Sequence, residues 1–131
     1  MNRLRPGESF AEWNDRMVEL YDPGAYHEES NALIRAIERI RTRRIVAFLD
    51  ALPAQRILEV GVGAGNVLEK VTVGRRLGLD LSMKLLGDAR RRLGPRGMFI
   101  RGDAATLPIA SRTIDRVVCS EVLEHLTDPE A

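Results

Sequence analysis

A chain of 131 residues has room for one domain, and a hydrophobic fraction of 44% is enough to build a core. Twenty Lys and Arg set against nineteen Asp and Glu leave a formal charge of +1, so no net field draws the chain toward nucleic acid or an anionic membrane. A single cysteine, Cys119, excludes an intrachain disulfide, and without a signal segment or long apolar span the expected location is the cytoplasm, with no membrane partner.

Residues 1–52 are expected to form a helical leader or lid. Their first half, "LRPGESFAEWNDRMVELYDPGAYHEES", sets the single aromatics Phe10, Trp13, Tyr21 and Tyr26 among charges and two Pro-Gly breaks, which predicts short helices and turns. From residue 31 to 52 the apolar positions Leu33, Ile37, Ile40, Phe48 and Leu52 recur at helical spacing, with Ser30 as the expected N-cap and Pro53 beyond the end. Arg35, Arg39, Arg41, Arg43 and Arg44 crowd this helix, and a solvated face explains them better than a nucleic-acid patch.

Residues 53–131 read as an α/β core. Ile57, Leu58 and Val60 make a short buried strand, followed by an expected helical stretch over 66–71. "RRLGLDLS" predicts a second strand ending at Asp80, and Ser82 caps a helix running to Leu93 before the Gly94-Pro95 stop. "GMFIRGDA" predicts a third strand and residues 114–119 a fourth. Alternating strands and helices imply parallel strands joined by right-handed crossovers.

The first strand runs out into "EVGVGAGN", with glycines at 61, 63 and 65. Glycine permits positive φ and close approach of another group to the backbone, which suits a turn wrapped against a ligand at the carboxyl end of a strand. A tight strand-to-helix turn with no ligand is the plainer alternative. The third glycine of a dinucleotide fingerprint would fall at position 66, which is Asn66, and no Lys-Ser or Lys-Thr closes the loop as a P-loop requires.

Two acidic residues share the same rim. Asp80, nineteen residues beyond Gly61, can accept hydrogen bonds from both hydroxyls of a ribose, although capping of the helix after Ser82 is a rival role. Asp103 in "GDA" can meet an amino group of a base or cap its own turn. Cys119 is read as packing rather than chemistry.

Taken in order, Glu59 with Gly61, Gly63 and Gly65, then Asp80, then Gly102-Asp103-Ala104, then "CSEVLEHL", resemble the motifs of the class I S-adenosylmethionine-dependent methyltransferases. The leader "YHEESNALIRAIERIRTRRI" is similar to that of small-molecule members of the ubiquinone and menaquinone biosynthesis type. The resemblance implies a Rossmann-like parallel sheet with strand order 3-2-1-4 and S-adenosylmethionine as cofactor. By the same resemblance the glycines pass beneath the methionine and ribose, Glu59 fixes the charged amino group and Asp80 holds the ribose diol. Leu81 lines the adenine, Asp103 and the Ala104 amide meet its edge, and Cys119 and Ser120 finish the amino-acid end.

Methyl transfer from a sulfonium needs an aligned acceptor rather than a nucleophilic side chain, consistent with the lack of a recognisable catalytic triad. The expected partner is a small-molecule methyl acceptor, not nucleic acid. A noncatalytic nucleoside-binding module and, less well supported, a nicotinamide oxidoreductase fragment are the other classes the residues allow. The family sheet has seven strands and this sequence stops at Ala131, soon after the fourth; an incomplete portion of a longer enzyme is expected ahead of a short variant that borrows a neighbour, with self-association through the exposed edge of strand four. If "SEVLEHL" is helical, Glu121, Glu124 and His125 fall on one face, where they could bind a divalent metal, contact the acceptor or serve structure alone.

Overall fold

The structure, a computed structural model, describes residues 3–21 and 31–126. Four parallel strands, β1 (Arg56–Val60), β2 (Arg75–Asp80), β3 (Gly97–Arg101) and β4 (Arg116–Cys119), lie in the order β3-β2-β1-β4. The parallel α/β sheet is the one the sequence pattern predicts, and its strand order is the one the family resemblance implies.

β1 is central because its sequence can be buried on both faces. Ile57 looks into one cluster with Val62, Leu68, Leu86, Leu93 and Val118, while Leu58 and Val60 look into the other with Leu79. This alternation is the period-2 geometry of a strand. It also puts Glu59 on the Ile57 side, inside the larger cluster. Leu58 pairs with Leu77 of β2 and Val117 of β4, so the strand ends at Val60, Asp80 and Cys119 align along one rim.

Helix α3 (Met83–Leu93) follows β2, and the Ser82 hydroxyl accepts from the Leu85 amide at 3.4 Å, as expected for its cap. Leu85, Leu86, Ala89 and Leu93 form its buried stripe. Of the leader, α1 (Phe10–Tyr21) starts in a reciprocal box: the Ser9 amide donates to Glu12 at 2.8 Å and the Glu12 amide donates to the Ser9 hydroxyl at 3.3 Å. Helix α2 (Ala32–Leu49) is capped by Asn31, whose side chain accepts from the Ile34 amide; the expected cap Ser30 lies outside the described residues, as do Tyr26 and His27.

Two expected helices are single 3-10 turns. The stretch 66–71 contains only Leu68–Lys70: the Leu68 amide is taken by the Glu59 side chain, the Glu69 amide alone bonds four residues back, to Gly65, and the Lys70 and Val71 amides bond three residues back. After β4 the turn Leu123–His125 replaces the helix, since Glu121 stands at φ +57 and breaks the run. Among the described residues no helix is long and apolar enough to cross a membrane.

Candidate cofactor cleft

The rim of strand ends opens into a cleft of about 350 Å³. Its floor is the glycine loop. At Gly61 the chain leaves β1 with φ +69, and the Gly61 and Val62 amides both donate to the Leu79 carbonyl at 2.8 and 2.9 Å. A Cβ on Gly61 would collide with Val122, and one on Gly65 would come within 2.8 Å of Leu93 in α3. Gly63, at φ +53, has nothing within 4 Å of where a Cβ would stand, so its bare backbone faces open cleft. The three glycines therefore have different surroundings: 61 and 65 allow close packing, and 63 exposes backbone to the cleft.

Asp80 stands at the end of β2 with one carboxylate oxygen accepting from the Gly63 amide and the other from the Ser82 amide, both at 2.9 Å. It tethers the loop and the start of α3 together while its remaining lone pairs face the cleft it lines. Burial pushes its pKa up, and the amide hydrogen bonds oppose that.

Glu59 is only 3% exposed, yet it lines the same cleft. One oxygen accepts from the Leu68 amide at 3.0 Å. Burial, with the Asp80 carboxylate nearby, raises its pKa to about 8, and Arg41 pulls the other way. Such a carboxyl suits a cationic partner, which would restore its charged form.

The remaining named residues fall in two groups. Leu81, Asp103, Ala104 and Ser120 line the cleft. Asp103 also caps its own turn, accepting from the Ala105 amide at 2.9 Å. Gly65 and Cys119 do not line it: Gly65 backs onto α3, and Cys119 closes β4, its thiol pKa raised by burial and by Glu124. The Glu121, Glu124, His125 set does not converge, because Glu121 precedes the turn and ion-pairs with Arg41. Among the described residues no three such side chains gather to hold a metal.

Two contributions to the cleft were not legible as site residues. Phe10, Asn14 and Val18, spaced four apart on one face of α1, roof it. Asp15 of the same helix bonds Arg101 at 3.1 Å, and Arg101 also donates to the Leu81 carbonyl at 3.0 Å, which pins α1 over the end of β2. Arg41 of α2 reaches the cleft between Glu38, at 2.9 Å, and Glu121, with its Nε buried and without a partner among the described residues. In the sequence it is one of five arginines on a face expected to be solvated.

A parallel sheet carrying a glycine loop and three acidic residues at its carboxyl rim defines a Rossmann-like cofactor-binding core. The chain belongs to the methyltransferase domain family, whose model matches residues 58–131. It is similar to demethylmenaquinone methyltransferases of Roseiflexus sp. strain RS-1, at 26% identity over 95% of this chain and 54% of the relative, and of Renibacterium salmoninarum, at 31% over 88% and 50%. Magnesium protoporphyrin IX methyltransferase of Synechocystis PCC 6803, solved with bound SAH, superimposes with a TM-score of 0.63 at 25% identity, over 75% of this chain and 50% of that one. The chain spans about half the length of the curated relatives it matches. The family match favours a methyltransferase over the nicotinamide alternative, in keeping with Asn66 where a dinucleotide fingerprint needs glycine.

Proposed function

We propose that the cleft binds S-adenosylmethionine and that the chain is the cofactor-binding part of a methyltransferase acting on a small-molecule acceptor in the cytoplasm. The observation that carries this reading is the convergence of Glu59, Gly63 and Asp80 from two neighbouring strand ends on one cleft. Their donor set fits the cofactor: Asp80 has lone pairs for a ribose diol, Gly63 gives bare backbone, and buried Glu59 matches an ammonium group. Arg41, held by Glu38 and Glu121, also lines this cleft and places a positive charge near the carboxylate of the same amino acid. Leu81 and Ala104 offer apolar walls for a base, with Asp103 at its edge and Ser120 at the amino-acid end.

When bound, the cofactor supplies an electrophilic methyl group on a cationic sulfur. The chain's residues then hold and orient: the Asp80 carboxylate, joined by Glu59 once an ammonium group restores its charge, sets a negative field that favours the sulfonium, and the α1 face of Phe10, Asn14 and Val18 shields the cleft from water. In-line displacement gains most from such orientation.

Isothermal calorimetry with S-adenosylhomocysteine and with NAD tests the assignment. Saturable binding of the first and none of the second is expected; preference for NAD overturns it. Transfer of a labelled methyl group from S-adenosylmethionine to an acceptor pool separates an enzyme from a module that only binds.

A further inference from the structure

Beside the cleft lies a second cavity of about 830 Å³, between α2 and the segment after the glycine loop. The two cavities share Arg41, Asn66 and Val67, so they adjoin at a common wall. The lining of the second is two-sided. Val46, Ala47 and Val67 give it an apolar surface, while Arg39 and Arg43, four residues apart on the same face of α2, give it two guanidinium groups.

The charges around it are unevenly matched. Glu69 is engaged by Lys70 at 3.3 Å and Arg92 at 3.6 Å, and Glu38 by Arg41 at 2.9 Å. Among the described residues no carboxylate pairs with Arg39 or Arg43. Because the whole chain carries only +1, this positive density is local rather than a general feature. Guanidinium pairs favour carboxylate and phosphate groups through forked hydrogen bonding.

We propose that this groove seats the methyl acceptor, and that the acceptor is a small amphiphile: an anionic carboxylate or phosphate group held by Arg39 and Arg43, and an apolar body lying on Val46 and Val67 toward the cleft. The volume is that of a small-molecule site, and Glu38 and Glu69 interrupt the positive surface that a polyanion would need. The assignment rests on the cleft being the cofactor site.

The test is titration of the chain, loaded with S-adenosylhomocysteine, with inorganic pyrophosphate and separately with benzoate. Saturable, salt-sensitive binding of either is expected, pyrophosphate marking a phosphate and benzoate a carboxylate. An Arg39→Gln/Arg43→Gln variant should bind that probe about tenfold more weakly, with S-adenosylhomocysteine affinity and circular dichroism unchanged, and Arg39→Lys/Arg43→Lys should recover part of the loss. The proposal falls if neither probe saturates, if the Gln variant binds as the parent does, or if a short RNA binds more tightly than either probe and is lost in the same variant. Failure of the parent to bind S-adenosylhomocysteine, read in its own titration, removes the cofactor reading and the acceptor assignment, while a retained pyrophosphate isotherm would show that the anion site itself survives.

Discussion

The Gly63 amide donates to the Asp80 carboxylate at 2.9 Å, so the end of β2 holds the loop at the end of β1 across seventeen residues of sequence. One carboxylate thereby shapes the floor of the cleft and lines it, where the proposed ribose contact would fall. Asp80→Ala removes both functions. Charge-assisted hydrogen bonds contribute about 1.5 to 3 kcal/mol each, so calorimetry should show S-adenosylhomocysteine binding weakened by about tenfold or more. Unchanged affinity in this variant would sink the ribose assignment.

Glu59 makes stability depend on pH in a direction opposite to that of an ordinary salt-bridged acid. Its folded pKa, about 8, lies above its ordinary value of 4.5, so between these values the native state binds more protons than the unfolded chain. The stabilisation is complete below about pH 4.5 and is lost as pH rises through 8, at no more than about 1.4 kcal/mol per pH unit for one proton. Glu59→Gln keeps an acceptor for the Leu68 amide and should flatten the denaturant-midpoint profile over this window. A parent profile already flat between about pH 5 and 8 would contradict it.

The glycines should separate by assay. Gly61→Ala and Gly65→Ala force a Cβ against Val122 and Leu93, at positive φ, and should lower the melting temperature by several degrees. Gly63→Ala meets no atom, so its main effect should be on cofactor affinity, with a smaller melting shift from the φ strain. Equal melting losses with equal affinities at all three positions would mean that no ligand lies over Gly63.

Among the described residues β4 has β1 on one side and no strand on the other, and Val117 is 57% exposed. An apolar strand edge is a template for pairing. Light scattering of this chain should show mass rising with concentration, and Val117→Lys should reduce that rise. A concentration-independent monomer would place some other cover on the edge.

The strands and α3 were legible because local chemistry decides them: short apolar runs, the Ser82 cap and the Gly94-Pro95 stop each act within a few residues, whereas the order of the strands came from the family resemblance. The glycine loop and the acids at 59, 80 and 103 could be placed on one rim because parallel strands align their carboxyl ends, whatever the crossovers between them. Where sequence reasoning failed, a distant group had intervened. The Leu68 amide goes to Glu59, nine residues back, and the expected helix shrinks to a turn. Glu121 leaves the helical register and pairs with Arg41, eighty residues earlier in the chain, so Glu121, Glu124 and His125 do not share the one face that a helix would have given them. Periodicity reports which face of a helix is polar, but not which of five arginines is turned toward a cleft; Arg41 was singled out only by the packing of α2 against the rim. The roof of Phe10, Asn14 and Val18 depends likewise on Asp15 and Arg101 meeting across eighty-six residues, a contact made by the folded sheet and carried by no local pattern.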